Sequence, residues 1–203
     1  IISSRKLDAC EPTAKEINDD IGDEVAFPIA CNIADDDQLK NLVDKTIDTL
    51  GSIDTLICNA ATNTFMGSML DMSIEQFDKV MHNNIRSNQL LCNLCLPNMI
   101  EKKDGSIIII SSIAAIKGSP MLGAYNISKA ADVMIVKNIA AEFGHKNIRA
   151  NSIAPGLIKT DFAKALWENE KIRKHYEELT PLKRLGDPDD IGGIAVFLAS
   201  KAG

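Results

Sequence analysis

The sequence predicts an α/β fold, a doubly wound parallel sheet with helices on both faces, closed into a single domain. Two observations carry this. Short apolar runs of strand length (EVAFPIA, IDTLICNA, GSIIIIS, IRANSIA) alternate with segments of helical period at 35–50, 73–101, 122–144 and 187–200. Such alternation builds βαβ units, whose crossover helices cover both faces of a parallel sheet. The chain also has 203 residues at 45% hydrophobic content, enough for one sizeable core, and no repeat, low-complexity tract or linker divides it.

Each run ends on polar residues of a particular kind. The first closes as Ser3-Ser4-Arg5-Lys6, the second at Asn32, and IDTLIC at Asn59-Ala60-Ala61; GSIIII leads into Ser111-Ser112, and IRANSIA into Pro155-Gly156. In a doubly wound sheet the ligand lies outside the carboxyl ends of the strands, so these are the positions to weigh. Taken singly, Ser, Asn, Gly and Pro also suit turns. The stretch from Leu157 to Thr180 is too long for an ordinary connection and is expected to carry helical turns of its own over the sheet's ligand edge.

Composition narrows the partners. A net charge of -6 without a run of Lys and Arg lacks the footprint that a phosphate backbone requires. The longest apolar run, SIIIISSIAAI, is shorter than the ~20 residues that span a bilayer. No charged-then-apolar leader is read, so neither a membrane nor a secreted location is expected. The five cysteines lie in apolar segments and suit a reducing compartment, cytoplasmic or organellar. Cys92 and Cys95 form a C-x-x-C pair within QLLCNLCLPNMI, which reads as the buried face of a helix; no metal is expected.

Tyr125 and Lys129, in YNISK, are spaced i, i+4, so on a helix they share a face about 6 Å apart along the axis. A free phenol titrates near ~10, and an adjacent ammonium favours its phenolate. By itself the spacing equally suits a half-buried tyrosine beside a solvent-facing lysine. Ser112 stands thirteen residues ahead of Tyr125, Asn84 lies in NNIRS, and IRANSIAPGLIKT and RLGDPDDIGGIAVFLAS follow. With SSRK, the CNAA turn and SSIAA, this set resembles the short-chain dehydrogenase/reductases, NAD(P)-dependent enzymes on a Rossmann fold, over nearly the whole chain.

The resemblance implies roles position by position. Tyr125 would give a proton to a carbonyl oxygen as hydride reaches the carbon, and take it back in reverse. Lys129 would lower the phenol's pKa and bind the nicotinamide ribose. Ser112 would hold the substrate oxygen, and Asn84 would position a water that relays protons to Lys129. Pro155 and Gly156 would line the nicotinamide pocket, with Ile158 and Thr160 on the carboxamide. At the end of the first run Ser4, Arg5 and Lys6 stand where an acidic residue would read a ribose 2′-OH; the Arg5 fork suits a 2′-phosphate, so NADP(H) is preferred over NAD(H).

Three departures from the family pattern stand out. Asn32, with Ile33 beside it, occupies the usual place of an aspartate that meets the adenine. The turn after IDTLI reads Cys58-Asn59-Ala60-Ala61, with alanine for a glycine. No glycine-rich phosphate turn is present. In the strand order 3-2-1-4-5-6 the strand preceding that turn lies mid-sheet, so the runs at 1–4 and 53–58 are expected to stand about 9.6 Å apart, two strand spacings, unless they pair directly. The 203 residues are accordingly expected to be part of a longer enzyme, lacking its first βα unit and last strand.

The substrate pocket is expected from Ala114, Met121 and Leu122 with Leu157, Phe162, Leu166 and Trp167, a mostly apolar wall. The segment GLIKTDFAKALWENE looks like that of NADPH-dependent carbonyl and retinal reductases, implying a ketone or aldehyde with a hydrophobic body. A 3-oxoacyl-thioester reductase stays open and would need a basic patch, for which Lys159, Lys164 and Lys171 are the candidates. So does a non-catalytic module of the same fold. Family likeness also implies a homo-oligomer, dimer or tetramer, through the helices at 73–101 and 122–144.

Overall fold

The computed structural model describes residues 1–203. In chain order its elements are β1 (Ile2–Ser4), α1 (Leu7–Ile21), β2 (Pro28–Ala30), α2 (Asp36–Leu50), β3 (Thr55–Cys58), α3 (Ile74–Met81), α4 (Ser87–Lys102), β4 (Gly105–Ile110), α5 (Gly123–Phe143), β5 (Ile148–Ile153), α6 (Lys164–Trp167), α7 (Glu170–Leu179) and α8 (Asp189–Ala199). Every strand pairing is parallel.

The all-isoleucine stretch of β4 shows why this strand is apolar throughout: it is buried on both faces. Ile107 and Ile109 enter the main core with Leu39 and Val43 of α2, Cys92, Cys95, Leu96 and Met99 of α4, and Ile135, Val136 and Ile139 of α5. Ile108, on the opposite face, is also fully buried, where α8 packs on β4 and β5. The Ser106 hydroxyl and the Arg149 guanidinium donate to the Leu198 carbonyl at 2.8 and 2.6 Å, and Arg149 also reaches Ser200, satisfying carbonyls at the C-terminal end of α8.

The helix limits follow local chemistry. The Asp35 carboxylate caps α2 on the Gln38 amide at 3.1 Å, and Gly51, at φ 81°, closes it in the left-handed region that favours glycine. A reciprocal Ser73/Gln76 capping box opens α3. Two features differ from the sequence-based expectation. Helix α1 was not foretold by periodicity; its buried stripe is carried only by the small residues Cys10 and Ala14, with Pro12 inside it. The segment expected as one helix over 73–101 is α3 and α4 joined by a π-helical turn, His82–Arg86, at the poor helix formers Asn83 and Asn84.

The sheet is observed as two ladders, β1–β2 and β3–β4–β5. The runs at 1–4 and 53–58 do not pair with each other. Between them lies a cavity of about 1330 Å³, lined by Ile1, Ser3 and Ser4 on one side and Thr55, Leu56, Ile57 and Cys58 on the other. No helix of the chain is long and apolar enough to cross a membrane.

Candidate active site

Strand β4 ends at Ile110 and delivers Ser111 and Ser112 to the carboxyl edge of the sheet. Ser111 is buried, and its hydroxyl donates to the Lys129 carbonyl at 2.8 Å, tying the strand end to the second turn of α5. The Ser112 hydroxyl caps a short 3-10 turn, Ile113–Ala115, by accepting from the Ala114 amide at 3.1 Å. That turn is fixed beneath the loop after β5 by the Ile113 amide, which donates to the Pro155 carbonyl at 3.0 Å.

Helix α5 begins at Gly123, where a Cβ would meet the Met69 side chain at 2.3 Å, so the helix starts in close contact with the 60–73 loop. Tyr125 and Lys129 then fall on one face, as their spacing requires. The Lys129 ammonium sits 5.7 Å from the Tyr125 ring centroid. Ser112 faces the phenol and favours its ionised form, while burial and the Asp132 charge oppose it. Burial is the largest of these, so the phenol lies above its ordinary range. This departs from the expectation that Lys129 would lower it. Burial outweighs the Ser112 hydrogen bond, and the Lys129 ammonium is engaged with the protein: it donates to the Ile110 carbonyl at 2.8 Å and to the Asp132 carboxylate at 3.0 Å.

Asn84 is fully buried in the π turn, with its side chain spent on the protein. Its oxygen accepts from the Thr62 amide at 2.7 Å, and its nitrogen donates to the Thr62 carbonyl at 2.9 Å and the Ser128 hydroxyl at 3.0 Å. Its amide thus staples the loop after β3 to α5, and makes no contact of its own with Lys129. The neighbouring Asn63 carries a buried side-chain oxygen without a partner.

The nucleotide candidates gather at the ends of β1, β2 and β3. Ser4, Arg5, Asn32, Ile33, Asn59, Ala60 and Ala61 all line the large cavity; Lys6, at the start of α1, does not. Arg5 and Lys6 are exposed, and neither meets a carboxylate, whereas most other arginines of the chain do. Asn32 is turned onto its own loop, its oxygen accepting from the Ala34 amide at 3.2 Å. Of the two, only the Arg5 guanidinium lies at the rim of this cleft. Beyond β5, a Cβ added at Gly156 would meet only Ile113, at 4.0 Å, and Ile158 bridges to Gly186.

The covering segment 157–180 holds the helical turns expected of it, α6 and α7. Phe162 stands over the phenol with ring centroids 6.2 Å apart, and the Trp167 indole donates to the Thr160 carbonyl at 2.8 Å, pinning α6. Leu122 is bridged to Gly67, so the 60–73 loop joins the apolar rim through Met66, Met69 and Leu70, which are largely exposed. Sequence reasoning missed these three; Gly67 and the apolar residues around it were the only signal. Of the lysines weighed for a basic patch, Lys159 faces Asp187 at 3.9 Å and Lys164 faces Glu168 at 3.7 Å. Both are balanced by neighbouring acids. Cys92 and Cys95 are core residues, and burial pushes the Cys95 thiol up to about 12, where it is inert.

Sequence reasoning also missed Asp132 and Asn88. Asp132 is fully buried, and its second oxygen accepts from the Asn88 amide at 3.0 Å. A lone acid in the otherwise apolar run ADVMIV was the available sign.

With this geometry in place, comparison with known proteins is informative. A family model described as enoyl-(acyl carrier protein) reductase matches residues 1–203. The chain is 35% identical over 201 residues to dehydrogenase/reductase SDR family member 4 of Sus scrofa, covering 99% of this chain and 71% of that protein. The Homo sapiens protein of the same description is 38% identical over 171 residues, covering 84% of this chain and 62% of that one, so the chain spans less than two thirds of its length. Among solved structures, a gluconate 5-dehydrogenase from Burkholderia cenocepacia in complex with NADP and tartrate superposes with a TM-score of 0.91 at 26% identity, covering 98% of this chain and 77% of that one. The chain belongs to the short-chain dehydrogenase/reductase family, a group of NAD(P)-dependent oxidoreductases.

Proposed function

We propose that the protein reduces a ketone or aldehyde with a hydrophobic body, using NADP(H), with Tyr125 as the acid and base. The observation that carries this is the phenol's setting. It faces Ser112, lies one turn from Lys129 and sits under the Phe162 ring. A phenol is protonated at neutral pH and burial raises this one further, so Tyr125 can donate to a carbonyl oxygen as reduction requires. The dinucleotide, when bound, supplies the hydride. Ser112 would hold the carbonyl oxygen beside the phenol, and the apolar rim of Met121, Leu122, Leu157, Phe162, Leu166 and Trp167, with Ala114 behind it, would exclude water from the developing alkoxide. Asn84 keeps the loop after β3 on α5, while Pro155, Gly156, Ile158 and Thr160 would receive the nicotinamide. Tyr125 and Lys129 would meet its ribose.

Arg5 favours the phosphorylated nucleotide, because it offers an exposed, unpaired cation at the cleft, with Lys6 exposed at the start of α1 as a second positive charge. Two structural relatives hold NADP, which agrees with this choice. We read residues 1–203 as one nucleotide-binding domain whose sheet leaves room for a further strand between β1 and β3. Five free, buried cysteines suit a reducing compartment such as the cytoplasm. Helices α4 and α5 are the faces expected to meet in a dimer or tetramer.

The thioester alternative is favoured by the description of the matching family model alone. The balanced Lys159 and Lys164 weigh against a surface for an acidic carrier. Steady-state oxidation of NADPH with apolar ketones tests the reading. Tyr125→Phe is expected to lower turnover by about 10²–10⁴ with nucleotide binding retained; a variant as fast as the parent would overturn it.

A further inference from the structure

The interior of α5 carries a charge that packing alone does not call for. Asp132 is 0% exposed and Lys129 is 2% exposed. Burying a carboxylate costs several kcal/mol unless it is paired and fully hydrogen-bonded. Here both its oxygens are used, one by the Lys129 ammonium at 3.0 Å and the other by the Asn88 amide of α4 at 3.0 Å. The ammonium has three N–H bonds. The Ile110 carbonyl, at 2.8 Å, and Asp132 take two, which fixes the rotor and leaves one for the Tyr125 side.

No other charge competes for this pocket. Facing the carboxylate from β3 is the Cys58 thiol; its hydrogen bond with Cys92 of α4, and then burial, push it well up, so it carries no charge. On α3 and the π turn, Glu75, Asp78 and Lys79 are exposed, Arg86 is engaged with Asp36, and His82 lies on the Ala34 carbonyl. Arg149 of β5 reaches away to Leu198 and Ser200, and His145 and Lys146 beyond α5 are exposed.

We infer that Asp132, held by Asn88, is a positioning residue that sets the acidity of Tyr125 through Lys129: it neutralises the ammonium and aims its remaining N–H. In this arrangement the lysine orients without strongly acidifying the phenol, and the site is biased toward proton donation. The inference rests on the reading of Tyr125 as the proton-transfer group, but its test does not require turnover.

The chain has two tyrosines. In a Tyr176→Phe background Tyr125 is the only phenol, and its ionisation is read directly from the ultraviolet absorbance of the phenolate during a pH titration of the protein without nucleotide. Asp132→Asn keeps the shape and an acceptor for Lys129 but removes the charge. The midpoint is expected to fall by about one pH unit, roughly tenfold more phenolate at any pH below it. Asn88→Ala removes a donor that helps keep the Asp132 carboxylate ionised, so the carboxylate protonates more readily, balances Lys129 less, and the midpoint falls less, in the same direction. A midpoint that stays or rises in Asp132→Asn, with circular dichroism unchanged, overturns the inference. Should Asp132→Asn fail to fold, Asn88→Ala decides: a fall supports the inference and an unmoved midpoint overturns it. A titration that shifts as expected in a protein inactive toward every ketone would retain the Asp132 inference and reject the proposed substrate.

Discussion

The two halves of the site are built differently. On the β4–α5 side the working groups are held from within: Ser111 bonds the Lys129 carbonyl, Lys129 the Ile110 carbonyl and Asp132, Asp132 meets Asn88, and Asn84 meets Thr62 and Ser128. On the β1–β2 side Ser4, Arg5 and Lys6 are exposed and Asn32 and Ile33 half-buried, the ladder has two short strands, and a cavity of about 1330 Å³ separates it from β3. The difference teaches where each half gets its order. Proton transfer needs atoms fixed before substrate arrives, and a buried network supplies that. On the proposed reading, nucleotide recognition falls to Arg5 at the end of β1.

That contrast can be broken by substitution. The largest effect on stability is expected from Lys129→Met, which strips the partner from the buried Asp132 and costs about 3–5 kcal/mol in urea unfolding. A loss under about 1 kcal/mol would mean the network does not hold the fold. Ile109→Ala removes a fully buried side chain from the centre of the sheet and is expected to cost about 2–5 kcal/mol. The matching change in the other ladder, Ile29→Ala, acts on a half-buried residue of a two-stranded sheet and should cost about 1 kcal/mol. Equal losses at the two sites would erase the contrast. Amide hydrogen exchange sharpens it, with β1 and β2 expected to exchange well before β4 and β5. Smallest in stability is Arg5→Ala, expected to leave the melting temperature unchanged while reducing the preference for NADPH.

What could be read from the sequence follows the same division. The strands of the complete ladder were legible because buried parallel strands are continuous apolar runs, and GSIIII is an extreme case. Ser112, Tyr125 and Lys129 were legible as a spaced set, and the structure brings them together. Helix α1 was not read: it buries only two small residues, Cys10 and Ala14, and carries Pro12 inside it. The break at His82–Arg86 was hidden inside a helical pattern that runs through it, with only the Asn pair to hint at it. Asp132 escaped because a single acid in an apolar helix is meaningless until a partner 44 residues away, Asn88, is seen beside it. The spacing likewise showed the lysine but neither the burial that pushes the Tyr125 phenol up nor the carboxylate that pairs with Lys129.

The account's central claim is an oxidoreductase that reads a phosphorylated nucleotide through Arg5 and works through Tyr125. Its most direct test is a fluorescence titration of the protein with NADPH and with NADH. The expected result is tighter binding of NADPH, with the difference lost in Arg5→Ala and kept in Tyr125→Phe. Equal affinity for the two nucleotides, or a preference for NADH, would contradict it.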